Sequence, residues 1–385
     1  MKKKFHIFFI LIVLSISYAY SQSSINNKYT ENGILSYPQW EPELVIGRMD
    51  DIKISPFLKP LKSPPNNFVI DPSIKNLVTG QKGIRLNIPE EAFVYSNNKP
   101  VSGKVDINLI EVIDIFDFLT AGVGLIYYDE TGKENLFESG GMLYVEANQG
   151  SKKLSLAKGK EIEVMIPDIF TSTPLNIYSM TKDGKWKLKE KNPLRASMDN
   201  ALQKKTSSDV DQNSDLPTSA APGDMPMEYR QLGVIITSID SLGWINTDYP
   251  HPNFACLKGK ITFAKNSPAK VVNVLAMGIN HRSIVSSWTT TNKFEINVLK
   301  NKTIKILAID NKGNIGLSET ISTPDKPGHS KNPESPDNYK MNLEDISLKK
   351  IDNAILKDKQ KFKDFLGIQD EYYMIRYPEK KKIEP

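Results

Sequence analysis

Short runs in which apolar and polar residues alternate strictly limit what this chain can fold into more than any other feature. In IRLNIP, Ile84, Leu86 and Ile88 fall on one side and Arg85 and Asn87 on the other. A repeat of two is that of a half-buried strand, because successive side chains of a strand point to opposite faces. The alternation recurs in KVDINL (Val105, Ile107, Leu109), MLYVEA (Leu143, Val145, Ala147) and EIEVMIP (Ile162, Val164, Ile166), with turn signals such as DETGK and TKDGKW between further runs. About eight such strands, with no convincing helix between them, predict an antiparallel β-sandwich over residues 76–191. The Asp183-Gly184 pair predicts a two-residue hairpin turn with positive φ at both positions.

A second β-rich block spans 227–323. VIITSID, KGKITFA, VVNVLAM, SIVSSWT, KFEINVL and TIKILAID are its candidate strands, and Phe294, Ile296 and Val298 alternate most clearly. This block predicts an immunoglobulin-like sandwich. The pieces around the two blocks differ in kind. Residues 22–75 are polar and proline-rich, and SPFLKPLKSPPNN predicts an extended arm. Residues 192–226 hold SSDVDQNSDLPTSAAPGDMP, too poor in large apolar side chains to bury itself, and are expected to be a disordered linker. A further linker covers 324–342. Over 343–385, Ile351, Ile355, Phe362 and Leu366 recur at helical spacing with Gly367 placed as a stop, which predicts a C-terminal amphipathic helix and tail. The fold class is therefore mainly β: two antiparallel sandwiches and a docking helix.

Residues 1–21 read as a secretory signal peptide. Lys2, Lys3 and Lys4 form a basic head, FFILIVLSISYAY an apolar stretch shorter than a membrane span, and Ala19 and Ser21 a small-x-small site before Gln22. No cysteine stands there to take a lipid. The expected location is periplasm, outer-membrane surface or medium, with no transmembrane span after cleavage. Removing the three lysines of the head lowers the formal charge from +5 to +2, which gives no electrostatic case for nucleic acid. The single cysteine, Cys256, excludes an internal disulfide and argues against a structural zinc site.

Candidate chemistry is sparse. In LFESGGMLYVEA, Ser139 has Gly141 two residues after it but Phe137 two residues before, so half of a nucleophile elbow is missing, and a strand follows where a helix would be needed. Gly140 and Gly141 are thus expected to be structural, marking a bulge or a close backbone approach. His251 with Asp248 would be a metal pair, yet a proline-rich turn favours a surface role. His281 is expected at a hairpin turn and His329 in a linker. Glu111, Asp114 and Asp117 would suit calcium or an acid/base pair, against ordinary loop solvation and backbone capping. Trp244, Tyr249 and Trp288 are candidate ligand contacts that would stack on sugars, against plain packing. No cofactor is implied.

Several segments together, FVIDPS, GQKGIRLNIPEEAFV, PVSGKVDINLIEV, ESGGMLYVEA, KGKEIEVMIP and LGWINTDY, resemble a family of uncharacterised exported proteins of Bacteroidota. The first block is also weakly similar to the ZU5 β-sandwich. The resemblance implies an envelope location and no known reaction. Some ZU5-related domains cleave themselves at His-Phe-Ser; the nearest analogue here, His281-Arg282-Ser283, departs at the middle position and lies in the second block, which disfavours self-cleavage. The expected function is that of an exported, non-enzymatic interaction or structural protein with a protein or glycan partner in the cell envelope. The alternatives are a carbohydrate-binding module and an envelope hydrolase or metal-dependent enzyme.

Overall fold

The alternating runs become strands, and their apolar sides meet in one core. The structure, a computed structural model, describes residues 57–168, 174–197, 233–263, 271–279, 281–330 and 339–368. The signal peptide expected at 1–21, most of the segments expected at 22–75 and 192–226, and the tail beyond 368 lie outside these residues. The first sandwich includes β1 (Asn66–Ile70), β2 (Asn76–Thr79), β3 (Arg85–Ile88), β4 (Val105–Val112), β5 (Glu134–Gln149), β6 (Ile162–Asp168), β7 (Asn176–Met180), β8 (Trp186–Lys191), β9 (Leu194–Ser197), β10 (Gly233–Ile239) and β11 (Gly243–His251). One sheet runs β1-β4-β5-β11-β7-β8 and the other β9-β10-β6-β3-β2. Between them Ile84, Leu86 and Ile88 pack with Ile107, Leu143, Val145, Val164 and Ile166. These are the residues whose spacing marked them as inward-facing.

Several boundaries differ from expectation. The expected arm ends in β1, which pairs with β4, because Phe68 and Ile70 turn into the core once the chain has passed its prolines. A helix, α1 (Ile115–Ala121), follows β4. It is too short to show a period, but Asp114 and Asp117 form a capping box at its start and Gly122 ends it at φ 73°. At the β7–β8 hairpin Gly184 has φ 79° and Asp183 is not positive, so the turn needs left-handed backbone at one residue rather than two. The largest difference concerns β10 and β11, which were expected to open the second sandwich. They instead pair with β6 and β5 at the centre of the first. Period-two runs identify strands but carry no label for their sheet, so the chain crosses to the second sandwich only between His251 and Phe254.

The second sandwich includes β12 (Phe254–Thr262), β13 (Val272–Gly278), β14 (Ile284–Thr289), β15 (Lys293–Leu299), β16 (Thr303–Asp310), β17 (Asn314–Leu317), β18 (Lys340–Asn342), β19 (Ile346–Ser347) and β20 (Lys349–Lys350). β15, β12 and β18 form one sheet, and β14-β13-β16-β17-β20 the other. Phe294, Ile296 and Val298 point into the core between them. Residues 340–350 were expected to be linker and helix. They add strands instead, two of them parallel to β12, with Ile346 and Leu348 buried on alternate positions. The helix is shorter than expected and broken in two: α2 (Asn353–Leu356) and α3 (Lys359–Leu366) start at Asp352 and Asp358, whose side chains accept backbone N–H groups, and Gly367 stops α3 at φ 66°. Among the described residues no helix is long and apolar enough to cross a membrane.

A third core lies between the sandwiches. Phe116, Phe118 and Leu119 of α1 meet Leu275 and Met277 of β13, Leu307 and Ile309 of β16, and Phe362 and Leu366 of α3. Phe116 and Phe362 make an edge-on contact at 6.2 Å. Full burial of each such phenylalanine stabilises by about 1.5–3 kcal/mol, so the two sandwiches gain by staying joined. The described residues accordingly fall within one compact unit.

This topology predicts the outcome of a cut introduced within 198–226. Because β10 and β11 belong to the C-terminal piece yet fill the centre of the first sandwich, the two pieces stay together. Size-exclusion chromatography after cleavage at an inserted protease site would show one peak containing both. Separation into two folded fragments would contradict the pairing.

Candidate functional site

The glycine pair of ESGGM sits at the middle of β5, where the ladder slips. Opposite it on β11, Thr247 pairs with Gly141 and Asp248 with Ser139, so Gly140 is the extra residue of a bulge. The bulge reverses which face the alternate residues meet. Leu143 and Val145 lie in the core of the first sandwich, whereas Phe137 lies in the core between the sandwiches. A Cβ at Gly140 would come 2.4 Å from Leu175 Cδ1 and 3.0 Å from the Thr247 carbonyl oxygen. Gly141 has φ 140°, and a Cβ there would lie 3.2 Å from Ile113 Cδ1. Both positions therefore need glycine, one for space and one for backbone.

The bulge frees two main-chain groups of β5, and the second sandwich takes both. The Ser139 N–H donates to the Arg282 carbonyl oxygen at 2.8 Å. The Arg282 guanidinium donates back to the Gly140 carbonyl oxygen at 3.0 Å. Arg282 is 1% exposed, which makes this a buried, charge-assisted contact. Around it the polar side chains serve one another. Ser139 Oγ donates to Asn246 Oδ1 at 3.0 Å and accepts the Gly141 N–H at 3.2 Å. Asn246 Nδ2 donates to Asp248 Oδ2. Asp248 is fully buried, and burial pushes its carboxyl well above the usual range, against the nearby Ser139 hydroxyl.

At the rim, Glu138 takes hydrogen bonds from Lys302 Nζ at 2.7 Å, across the junction, and from His251 Nε2 at 2.9 Å. Burial raises the Glu138 carboxyl, yet the bonds from His251 and Lys302 outweigh it and bring it to about 2. His281, 2% exposed, shares a hydrogen bond with Ser283 Oγ at 3.0 Å, and burial pulls its imidazole down to about 4. The candidate metal pair of His251 and Asp248, disfavoured by the sequence, is not brought together: His251 bonds Glu138 while Asp248 bonds Asn246. Three residues apart on one strand, they point to opposite faces.

The other candidates are placed as follows. Glu111, Asp114 and Asp117 do converge, but on donors of this chain. Glu111 accepts the backbone N–H groups of Lys82 and Ile84, each at 2.9 Å, and burial raises its carboxyl against them. Lys82 Nζ binds Asp114 at 3.0 Å and also Asp117, while Lys359 and Lys363 approach Asp117 and Asp114 at 3.6 and 3.7 Å. Ammonium groups thus sit against Asp114 and Asp117, and backbone N–H groups against Glu111. Among the described residues no group of three or more His, Cys, Asp or Glu is arranged to hold a metal ion. His329 lies 3.8 Å from Glu134, and the Cys256 thiol is buried and pushed up to about 11 by that burial.

The three aromatic candidates do not form one platform. Tyr249 packs on the core of the first sandwich, Trp244 lies on the other face of the same sheet against the core between the sandwiches, and Trp288 stands on β14 opposite Asn273. Trp244 has instead a partner that spacing alone did not reveal, Tyr144 on β5, with ring centroids 5.1 Å apart. Arg282 and Asn246 were missed as well. Arg282 stood only as the middle of the His281-Arg282-Ser283 tripeptide and Asn246 only within LGWINTDY, and the glycine pair alone hinted that something docks against β5.

No protein-family model and no curated protein matches the chain. Among solved structures it is similar to the Bacillus anthracis TIE protein, at 8% identity and a TM-score of 0.15, over 74% of this chain and 41% of that one. The chain thus spans less than half of that protein, and the likeness carries no argument.

The bulge generates a direct test. Gly141→Val should destabilise the full chain by ~2 kcal/mol or more through backbone strain and the clash with Ile113. Ser139→Ala should lose about 1–3 kcal/mol, because it leaves Asn246 Oδ1 and the Gly141 N–H without their buried partner. Urea denaturation of each variant measures both, and a Gly141→Val protein as stable as the wild type would remove the structural role of the pair.

Proposed function

We propose that this chain is an exported, non-enzymatic interaction or structural protein of the cell envelope, in which the joined sandwiches present a rigid surface to a protein or glycan partner. The observation that carries the reading is the burial of the groups with catalytic chemistry. Ser139 and Asp248 are 0% exposed and His281 is 2% exposed, and Ser139 holds the Gly141 N–H and Asn246 at the junction. A nucleophile enclosed in this way has no route to a substrate, and its hydrogen bonds serve the fold. The order of basic head, apolar stretch and Ala19-x-Ser21 supports export.

One observation favours a glycan as the partner. On the face of the first sandwich away from its own core, Ile110, Tyr144 and Trp244 form a cross-strand row, all three partly buried, with Ile110 and Trp244 resting against the third core. Asn108 and Glu146 stand beside it on the next row. Half-exposed rings flanked by an amide and a carboxylate offer stacking faces and hydrogen bonds to a sugar. The test combines location and binding. In the native cell, mass spectrometry of the periplasm and medium should find a mature N-terminus at or near Gln22, and a glycan array should give signals that Trp244→Ala abolishes. An intact Met1 in the cytoplasm, or a hydrolytic activity lost with Ser139→Ala, would contradict the proposal.

A further inference from the structure

A cleft of about 390 Å³ opens beside the third core, far along the chain from the glycine pair. Its walls come from residues 60–64, the turn at Gln81 and Lys82, Asn66 and Glu111 at the edge of the first sandwich, and Lys357 and Lys359 between α2 and α3. That volume lies in the range of small-ligand sites. Four lysines line it, Lys62, Lys82, Lys357 and Lys359, against one carboxylate, Glu111.

The charges divide into two groups. Lys82 is held by Asp114 and Asp117 behind it, and Lys359 donates to Ser63 Oγ at 2.9 Å with Asp117 at 3.6 Å. Glu111 is occupied by the N–H groups of Lys82 and Ile84 and by Asn66 Nδ2 at 3.0 Å, so its oxygens serve the backbone rather than the lysines. The side-chain ammonium groups of Lys62 and Lys357 have no hydrogen-bond or ion-pair partner among the described residues, and they stand on different walls of the cleft. Pro60, Leu61 and Pro64 give the same cleft apolar surface. Unpaired cations above low-dielectric walls focus a positive potential, whereas the deeper lysines are neutralised by Asp114 and Asp117 and add little to it.

We propose that this cleft binds a small oxyanion-bearing ligand of monosaccharide size, with Lys62 and Lys357 closing on its carboxylate or phosphate and Leu61 and the prolines packing on its body. The ligand class is defined by the anionic group. It is independent of the aromatic row, which suits neutral sugars as well.

The experiment uses the full mature chain and follows its melting temperature and heat of binding with inorganic phosphate and with glucuronate. Glucose and sodium chloride at matched ionic strength are the controls. A saturable rise in melting temperature with phosphate, glucuronate or both, absent with the controls, is expected, and whichever probe acts identifies the anionic group. The double change Lys62→Ala and Lys357→Ala, at side chains outside the cores, should leave melting without anion unchanged and weaken binding at least tenfold. No saturable response to either probe at millimolar concentration, a rise matched by sodium chloride, or equal binding by the double variant would each overturn the proposal.

Discussion

The buried contact between Arg282 and the bulged backbone of β5 is the constraint on which the arrangement of the two sandwiches depends. A guanidinium that is 1% exposed must find acceptors inside the protein, and one of them is the Gly140 carbonyl oxygen. A regular strand would direct that carbonyl into the ladder with β11. Gly140 is the one extra residue that turns it away, so the glycine and the arginine require each other although 142 positions separate them. Ser139, Asn246 and Asp248 then fill the polar space that the bulge opens, and Glu138 with Lys302 closes the rim.

Apolar packing alone would join the sandwiches without fixing how they sit. The third core, built on Phe116, Phe118, Leu275, Met277 and Phe362, supplies apolar contact, but side chains of this kind tolerate several packings. Directional bonds do not. The paired contacts of Ser139 N–H with Arg282 C=O and of Arg282 with Gly140 C=O set one register between β5 and the start of β14. The carboxylate and lysine network of Asp114, Asp117, Lys82, Lys359 and Lys363 does the same for α1 and α3. Both networks combine groups that a sequence reading would assign to chemistry, and in both the partners are other parts of the chain.

What was legible in the sequence was whatever a local period encodes. The inward positions Leu86, Ile107, Val145 and Val164, and Phe294 and Ile296 in the second sandwich, lie where alternation puts them, and Gly367 ends α3 as its position suggested. Partnership between distant strands was not legible. Nothing in VIITSID or GWINTDYPH says that these strands return to the first sandwich, because a strand's apolar face fits any core of the right depth. Residues 349–362 were legible as apolar positions but not as a broken element, since Asp352 and Asp358 are ordinary charged residues until each is seen accepting backbone N–H groups. At the junction, Gly140 and Gly141 announced a close approach without naming Arg282, which the sequence showed only as the departing middle residue of His281-Arg282-Ser283.

The central claim is that Arg282 fixes the two sandwiches against each other through the bulge. Equilibrium unfolding of Arg282→Ala, compared with wild type in urea, tests it most directly. The account predicts a loss of roughly 2–4 kcal/mol, from the unsatisfied Gly140 carbonyl and the space left by a fully buried side chain. A loss below about 1 kcal/mol, the size expected of a surface substitution, would contradict it.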